Sequence, residues 1–219
     1  MAHLLRIAAA FAGAGLLVWL AKPWLLAGFI DFMRWELGWI EHPFLIKKIA
    51  LVSAGGEALI RLDVGLARVV TVAGRVLWPD QGGGSWVTTL SGHVLVPPIV
   101  ALGVILAWPA RRYAEYPLRS VCLLPCLLLV MALDVPLLLL AEAWRPLIEA
   151  DRQRLPSLLL AWAGFLTGGG RFVLAIAAGL ASVLCAERIM ALSSFWIARR
   201  HTLAAATEAS PSAEMASGR

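Results

Sequence analysis

Residues 81–110 read QGGGSWVTTLSGHVLVPPIVALGVILAWPA, thirty residues without an Asp, Glu, Lys or Arg. A helix needs about 20 apolar residues to cross the hydrocarbon core of a bilayer, and this stretch exceeds that. A span from about Trp86 to Trp108 fits, with a tryptophan at each end, where amphipathic rings favour the headgroup layer. Pro97-Pro98 predicts a kink, and Gly82-Gly83-Gly84 a loose entry. One such span means that the rest of the chain is read with lipid as its solvent.

Composition agrees. Of the 219 residues, 60% are hydrophobic and 15% charged, with a mean hydropathy of +0.80. Soluble domains lie nearer about 45–50% apolar and about 25% charged. The excess excludes a soluble globular enzyme, a disordered chain and a disulfide scaffold. Lys and Arg total 19 against 14 acids, a net charge of +5. These cations are scattered in small clusters, Lys47-Lys48, Arg111-Arg112 and Arg199-Arg200. None forms a stripe interleaved with aromatics, so no nucleic-acid partner is expected.

Three further spans follow from the same criterion. Between Arg6 and Lys22 no residue is charged, and a helix from Leu4 to Phe29 can cross. A cleaved signal peptide is the rival, but Trp19-Leu20-Ala21-Lys22-Pro23 is a poor cleavage site, so an uncleaved anchor is expected. The third span runs from about Leu118 to Ala141, broken by Asp134 and Pro136, and the fourth from Phe172 to Met190. Leu155–Thr167 is apolar but short, and suits an interfacial or re-entrant helix near 155–167. The expected fold class is therefore an all-α integral membrane protein. It has four transmembrane helices and a small extracytoplasmic α/β or β-hairpin-like segment between the first and second.

Arg111, Arg112 and Arg119 against one acid, Glu115, mark the 111–119 loop as cytoplasmic. With four spans, both termini are then cytoplasmic, as in a multi-pass protein of a bacterial-type inner membrane. The divisions are 1–30, a first span; 31–85, extracytoplasmic; 86–200, three further spans with the interfacial helix; and 201–219, a disordered cytoplasmic tail rich in Ala, Ser, Thr and Glu. Within 31–85, Ile60, Leu62, Val64 and Leu66 alternate with Arg61, Asp63 and Gly65, as in a half-buried strand. Gly55-Gly56 suits a hairpin turn. Glu57, Arg61, Arg68 and Arg75 instead share one helix face. Strands are the preferred choice. Phe32, Trp35, Glu36 and Trp39 predict an amphipathic helix lying on the membrane, or a docking patch.

Few polar residues interrupt the spans. His93 stands one and a half to two turns into the second span, and Asp134 about two turns short of the outer end of the third. At 1.5 Å per residue both lie about 10 Å below the outer interface. An ionisable group at that depth faces the bundle interior or a wet cavity and has a partner. His93 is the expected partner of Asp134, with Arg171 or Glu142 joining from the same side. The arrangement is either a structural clasp or a ligand or proton-relay site. Ser91-Gly92-His93 resembles one fragment of a membrane-phosphatase signature, but the rest of that signature is missing.

Cys122, Cys126 and Cys185 are odd in number and apolar in setting, and read as core fillers. Three thiols at similar depth could bind a soft metal, but nothing completes the set. Their depth excludes an outer-face cysteine transpeptidase. Of the ten tryptophans, Trp19, Trp24, Trp78, Trp86, Trp108, Trp144, Trp162 and Trp196 fall at or near span ends, as an interfacial belt. No catalytic residues, no cofactor and no metal site are expected.

Thr89-Leu90-Ser91-Gly92-His93-Val94-Leu95-Val96-Pro97-Pro98-Ile99-Val100-Ala101-Leu102, closing in Trp108-Pro109 and the arginines, carries a resemblance. With the layout of residues 1–190, it resembles the small exosortase H-associated membrane proteins, companions of a transpeptidase-like protein-sorting enzyme. His93 stands where that family has an aromatic residue. The resemblance implies an accessory role in sorting or surface display, with no catalytic residues to carry over. The expected function is thus a non-enzymatic accessory or assembly protein, with the bilayer and a membrane-protein partner or a second copy of itself as partners. Two alternatives are a small transporter or channel subunit using His93 and Asp134, and a membrane enzyme acting at the outer face.

Overall fold

The computed structural model describes residues 1–40, 42–72, 74–79, 84–110, 113, 115–150 and 157–209, without the side chains of residues 2, 75, 150 and 193–209. Helix α1 spans Ala2–Trp39 and is followed by strands β1 (Phe44–Ala54), β2 (Glu57–Leu66), β3 (Val70–Val72), β4 (Arg75–Leu77) and β5 (Ser85–Leu90). Helices α2 (Gly92–Ala107), α3 (Glu115–Leu133), α4 (Val135–Ala150) and α5 (Leu158–Phe165) come next. A π-helical turn, Leu166–Gly170, leads into α6 (Arg171–Ala209).

Three helical stretches, His3–Trp39, Glu115–Glu149 and Leu158–Leu192, are long and apolar enough to cross a membrane, and α2 is a shorter apolar helix. The coarser part of the expected class is present: a mostly helical, apolar chain with a small sheet inserted between its first and second helices.

Residues 44–66 are strands, not an amphipathic helix. β1 and β2 pair antiparallel from Phe44↔Leu66 to Ala54↔Glu57. The turn between them is Gly55-Gly56, with φ of +61° and +83°, values that glycine adopts without steric cost. The alternation read in the sequence is the burial pattern of β2. Ile60, Leu62 and Val64 are buried. Arg61 and Asp63 on the other face form an ion pair at 2.6 Å, and the Arg61 guanidinium lies 5.1 Å from the Trp86 ring centre. β5 joins the far edge of β2, giving the order β1-β2-β5, and β3-β4 form a separate hairpin.

β5 corrects the expected start of the second span. Residues 86–90 pair with β2 from Asp63↔Trp86 to Leu59↔Leu90, so the helix begins at Gly92 and not at Trp86. The sheet segment accordingly runs past residue 85. Val87, Thr88 and Thr89 are β-branched and favour the pleated conformation, a preference masked by a long uncharged run. The switch from strand to helix falls on Ser91. Its N–H continues the ladder to the Ala58 carbonyl at 3.0 Å, and its carbonyl accepts from Val94 N–H at 3.2 Å.

The sheet sits on the ends of the helices. Met33 and Leu37 of α1, Val94 of α2 and Leu139 of α4 share one buried cluster with Ile49, Ile60, Leu62 and Val64. α1 holds 38 residues, roughly 57 Å at 1.5 Å per residue. That is nearly twice the about 30 Å of a hydrocarbon core. Phe32, Trp35, Glu36 and Trp39 are its last turns rather than a separate helix on the membrane. This extension supports the sheet: Arg34 pairs with Asp31 at 2.7 Å and donates to the Ile49 carbonyl of β1 at 3.2 Å.

Small residues set the helix packing. A Cβ on Gly103 would lie 2.7 Å from the Phe11 ring of α1, and one on Gly179 would lie 2.9 Å from Val104 Cβ and 3.0 Å from the Ala101 carbonyl. In lipid, such close approach replaces the hydrophobic drive that water would supply.

Two further boundaries change. The third apolar stretch breaks at Asp134 and then runs on as α4 to Ala150. The C-terminal part is helical through Ala209 rather than disordered from 201. Its Leu203-Ala204-Ala205-Ala206 consists of strong helix formers that extend a helix already nucleated. Residues 210–219 lie outside the described residues.

Candidate functional site: a charge pair at two helix breaks

Asp134 occupies the one-residue gap between α3 and α4, its carbonyl accepting from Leu138 N–H at 3.0 Å. Pro136 lacks an N–H and cannot complete an unbroken ladder at this point. The indole N–H of Trp162 donates to the Leu133 carbonyl at 2.7 Å, covering an acceptor beside the break. Across from it, the π-helical turn places Gly169 at φ +107°, which ends the helical run of α5. A Cβ on Gly170 would collide with the Phe165 ring. The glycines therefore let α5 fold closely onto the head of α6, whose first residue is Arg171.

These two breaks face each other. Arg171 Nη2 donates to Asp134 Oδ1 at 3.0 Å, with side-chain exposures of 7% and 1%. Asp134 Oδ2 and Arg171 Nε are buried and have no hydrogen-bond partner among the described residues. A buried pair gains little net stability over an apolar pair, but removing one member leaves a bare charge, at about 3–5 kcal/mol.

His93 is not Asp134's hydrogen-bond partner, as had been expected. Because α2 starts at Gly92, His93 stands on its first turn and shares a hydrogen bond of 2.9 Å with Thr89 Oγ1, one strand residue earlier. Glu142 does not join either; it holds Arg145 one turn along α4 in a two-pronged pair at 2.7 and 3.0 Å. The structure thus joins Asp134 to Arg171 and gives His93 and Glu142 other partners.

A second buried pair is absent from the sequence expectations. Arg119 donates to Glu115 Oε2 at 2.9 Å, and to the Trp108 and Pro109 carbonyls at 3.2 Å each. It ties the head of α3 to the tail of α2. The signal was the Glu-to-Arg spacing of four on one helix face, which a count of loop charges overlooks.

The cysteines are free, and the Cys122 thiol lies against that of Cys185. Among the described residues no group of three or more His, Cys, Asp or Glu is placed to hold a metal ion. Two tryptophans assigned to the belt have structural contacts instead. Trp162 donates at the helix break, and Trp144 meets Phe44 edge-on at 5.3 Å between ring centres. Trp19, Trp24, Trp78, Trp86 and Trp108 are exposed, as an interfacial belt requires.

Fold and site together define a class: a protein of membrane-length apolar helices, capped at one end by a small antiparallel sheet, with a charge pair closing two helix breaks. Comparisons with protein-family models, with curated proteins and with solved structures find nothing that matches the chain.

Proposed function

We propose that this chain is a non-enzymatic, multi-pass inner-membrane accessory or assembly protein, with α1, α2, α3 and α6 as its four spans. Both termini are cytoplasmic and the sheet is extracytoplasmic, an orientation supported by the arginines Arg111, Arg112 and Arg119 that follow the second span in the sequence. The observation that carries this function is the state of the intramembrane polar group. Asp134 and Arg171 neutralise each other in the packed interior, at two breaks that their pairing holds together. A clasp of this kind stabilises a scaffold. Its partner is a membrane protein or a second copy of the chain, and the resemblance to exosortase H-associated proteins suggests a sorting or surface-display system.

The test is affinity capture of the full chain from its own membranes in mild detergent. A stoichiometric membrane-protein companion, or a defined homo-oligomer, is expected. A stable monomer recovered alone would overturn the proposal.

One observation favours a second possibility, a small transporter or channel subunit. The unpartnered Asp134 Oδ2 and Arg171 Nε are groups that a polar solute or proton could engage. Against it, His93 and Asp134 direct their hydrogen bonds to Thr89 and Arg171 rather than to each other.

A further inference from the structure

At the end of the helices away from the sheet, a cavity of about 410 Å³ is lined by Arg6, Ala110, Tyr113 and Tyr116. Cavities that hold small ligands span about 300–1,000 Å³. Among the described residues lining it, Arg6 is the charged one, and a guanidinium has five N–H donors. One of these makes a long contact of 3.4 Å to the Tyr116 hydroxyl. Glu115, the acid at the head of α3, is ion-paired with Arg119, so its charge is compensated locally. Arg119 also lies 5.7 Å from the Tyr116 ring centre, and Tyr116 N–H donates to the Tyr113 carbonyl at 3.2 Å. Tyr116 is therefore built into the first turn of α3, while Tyr113 precedes the helix and is exposed. In the chain, Ala110 is followed directly by Arg111 and Arg112.

A forked cation beside the Tyr116 hydroxyl, with the exposed Tyr113 on the same lining, at the end of an apolar helix bundle, suits a phosphate-bearing anion. Arginine matches phosphate oxygens two at a time. Basic pockets between helices at a membrane surface bind anionic headgroups. We infer that this cavity binds the phosphate group of an anionic phospholipid or a free phosphate compound, with Arg6 as the principal contact and Tyr113 and Tyr116 as hydroxyl donors.

The test uses the full chain in a mild nonionic detergent, titrated by native mass spectrometry. The probes are a short-chain phosphatidylglycerol, a short-chain phosphatidylcholine and inorganic phosphate. Phosphatidylglycerol is expected to bind in preference to phosphatidylcholine. Arg6→Gln should weaken it roughly tenfold, the usual scale of one charge-assisted hydrogen bond. Arg6→Lys should restore part of the loss, and Tyr113→Phe should lose less. Arg188→Gln, which removes the same charge from an exposed position on α6 outside the cavity, should bind as the parent does. Displacement of the lipid by inorganic phosphate at comparable concentration would identify a free phosphate compound as the occupant; no displacement would identify the lipid. Equal affinity in the parent and Arg6→Gln would overturn the inference, as would binding of neither probe. Arg6 is exposed, and an unchanged elution profile of Arg6→Gln separates lost binding from lost folding.

Discussion

Asp134 and Arg171 show how one pair of residues serves a fold of apolar helices. Each sits at a discontinuity, and each alone would be a charge stranded among apolar side chains. Removing either should cost about 3–5 kcal/mol, because the survivor stays buried and unpaired; removing both in favour of apolar side chains should cost far less. Asp134→Leu and Arg171→Met are therefore expected to lower the unfolding midpoint in detergent strongly one at a time and weakly together. A double-mutant cycle measures the coupling. Additive losses would mean that the two side chains do not depend on each other. The importance of Asp134 was legible in the sequence, since it interrupts an apolar run. Its partner was legible only as a second choice, Arg171 joining from the same side after His93. Depth counted from Trp86 placed His93 level with Asp134, but β5 takes up the residues before Gly92. Arg171, just ahead of the expected fourth span, is brought inward by the turn at Gly169.

Elements differ in how clearly they are written. The β1–β2 hairpin was legible because two local signals agree, the period-two alternation through Val64 and the paired glycines at its tip. β5 was not, because an uncharged run containing Thr88 and Thr89 fits a buried strand and a membrane helix equally until its pairing partner is known. Helix contacts were not legible either, since they depend on which small residues face one another. Gly179 is such a residue. Its missing side chain lets α6 approach the backbone of α2, where the Ala101 carbonyl cannot move aside. Gly179→Val should destabilise the protein by about 1–3 kcal/mol, the usual range for overpacking. Gly164→Ala, whose Cβ would meet nothing within 4 Å, should leave it unchanged. Thermal unfolding of both variants in the same detergent checks the contrast, and equal behaviour would deny the close α2–α6 approach.

For the molecule as a whole, long apolar helices were legible from composition, and the interior explains why so few polar residues remained to be assigned. Two buried ion pairs, Asp134–Arg171 at the α4–α6 breaks and Glu115–Arg119 beneath the α2–α3 turn, act as fasteners at different levels of one bundle. The sheet closes the end near the first pair. The proposed accessory role and the transporter alternative make opposite demands on the first pair. A clasp can be replaced by any side chains that pack; a translocation or relay site cannot. The most direct measurement is mild-detergent capture of the double variant Asp134→Leu with Arg171→Met beside the parent chain. If the pair is a clasp in an accessory protein, the folded double variant brings down the parent's companion, or forms its oligomer, in undiminished yield. A double variant that folds and elutes as the parent does, yet has lost that companion or oligomer, would contradict it.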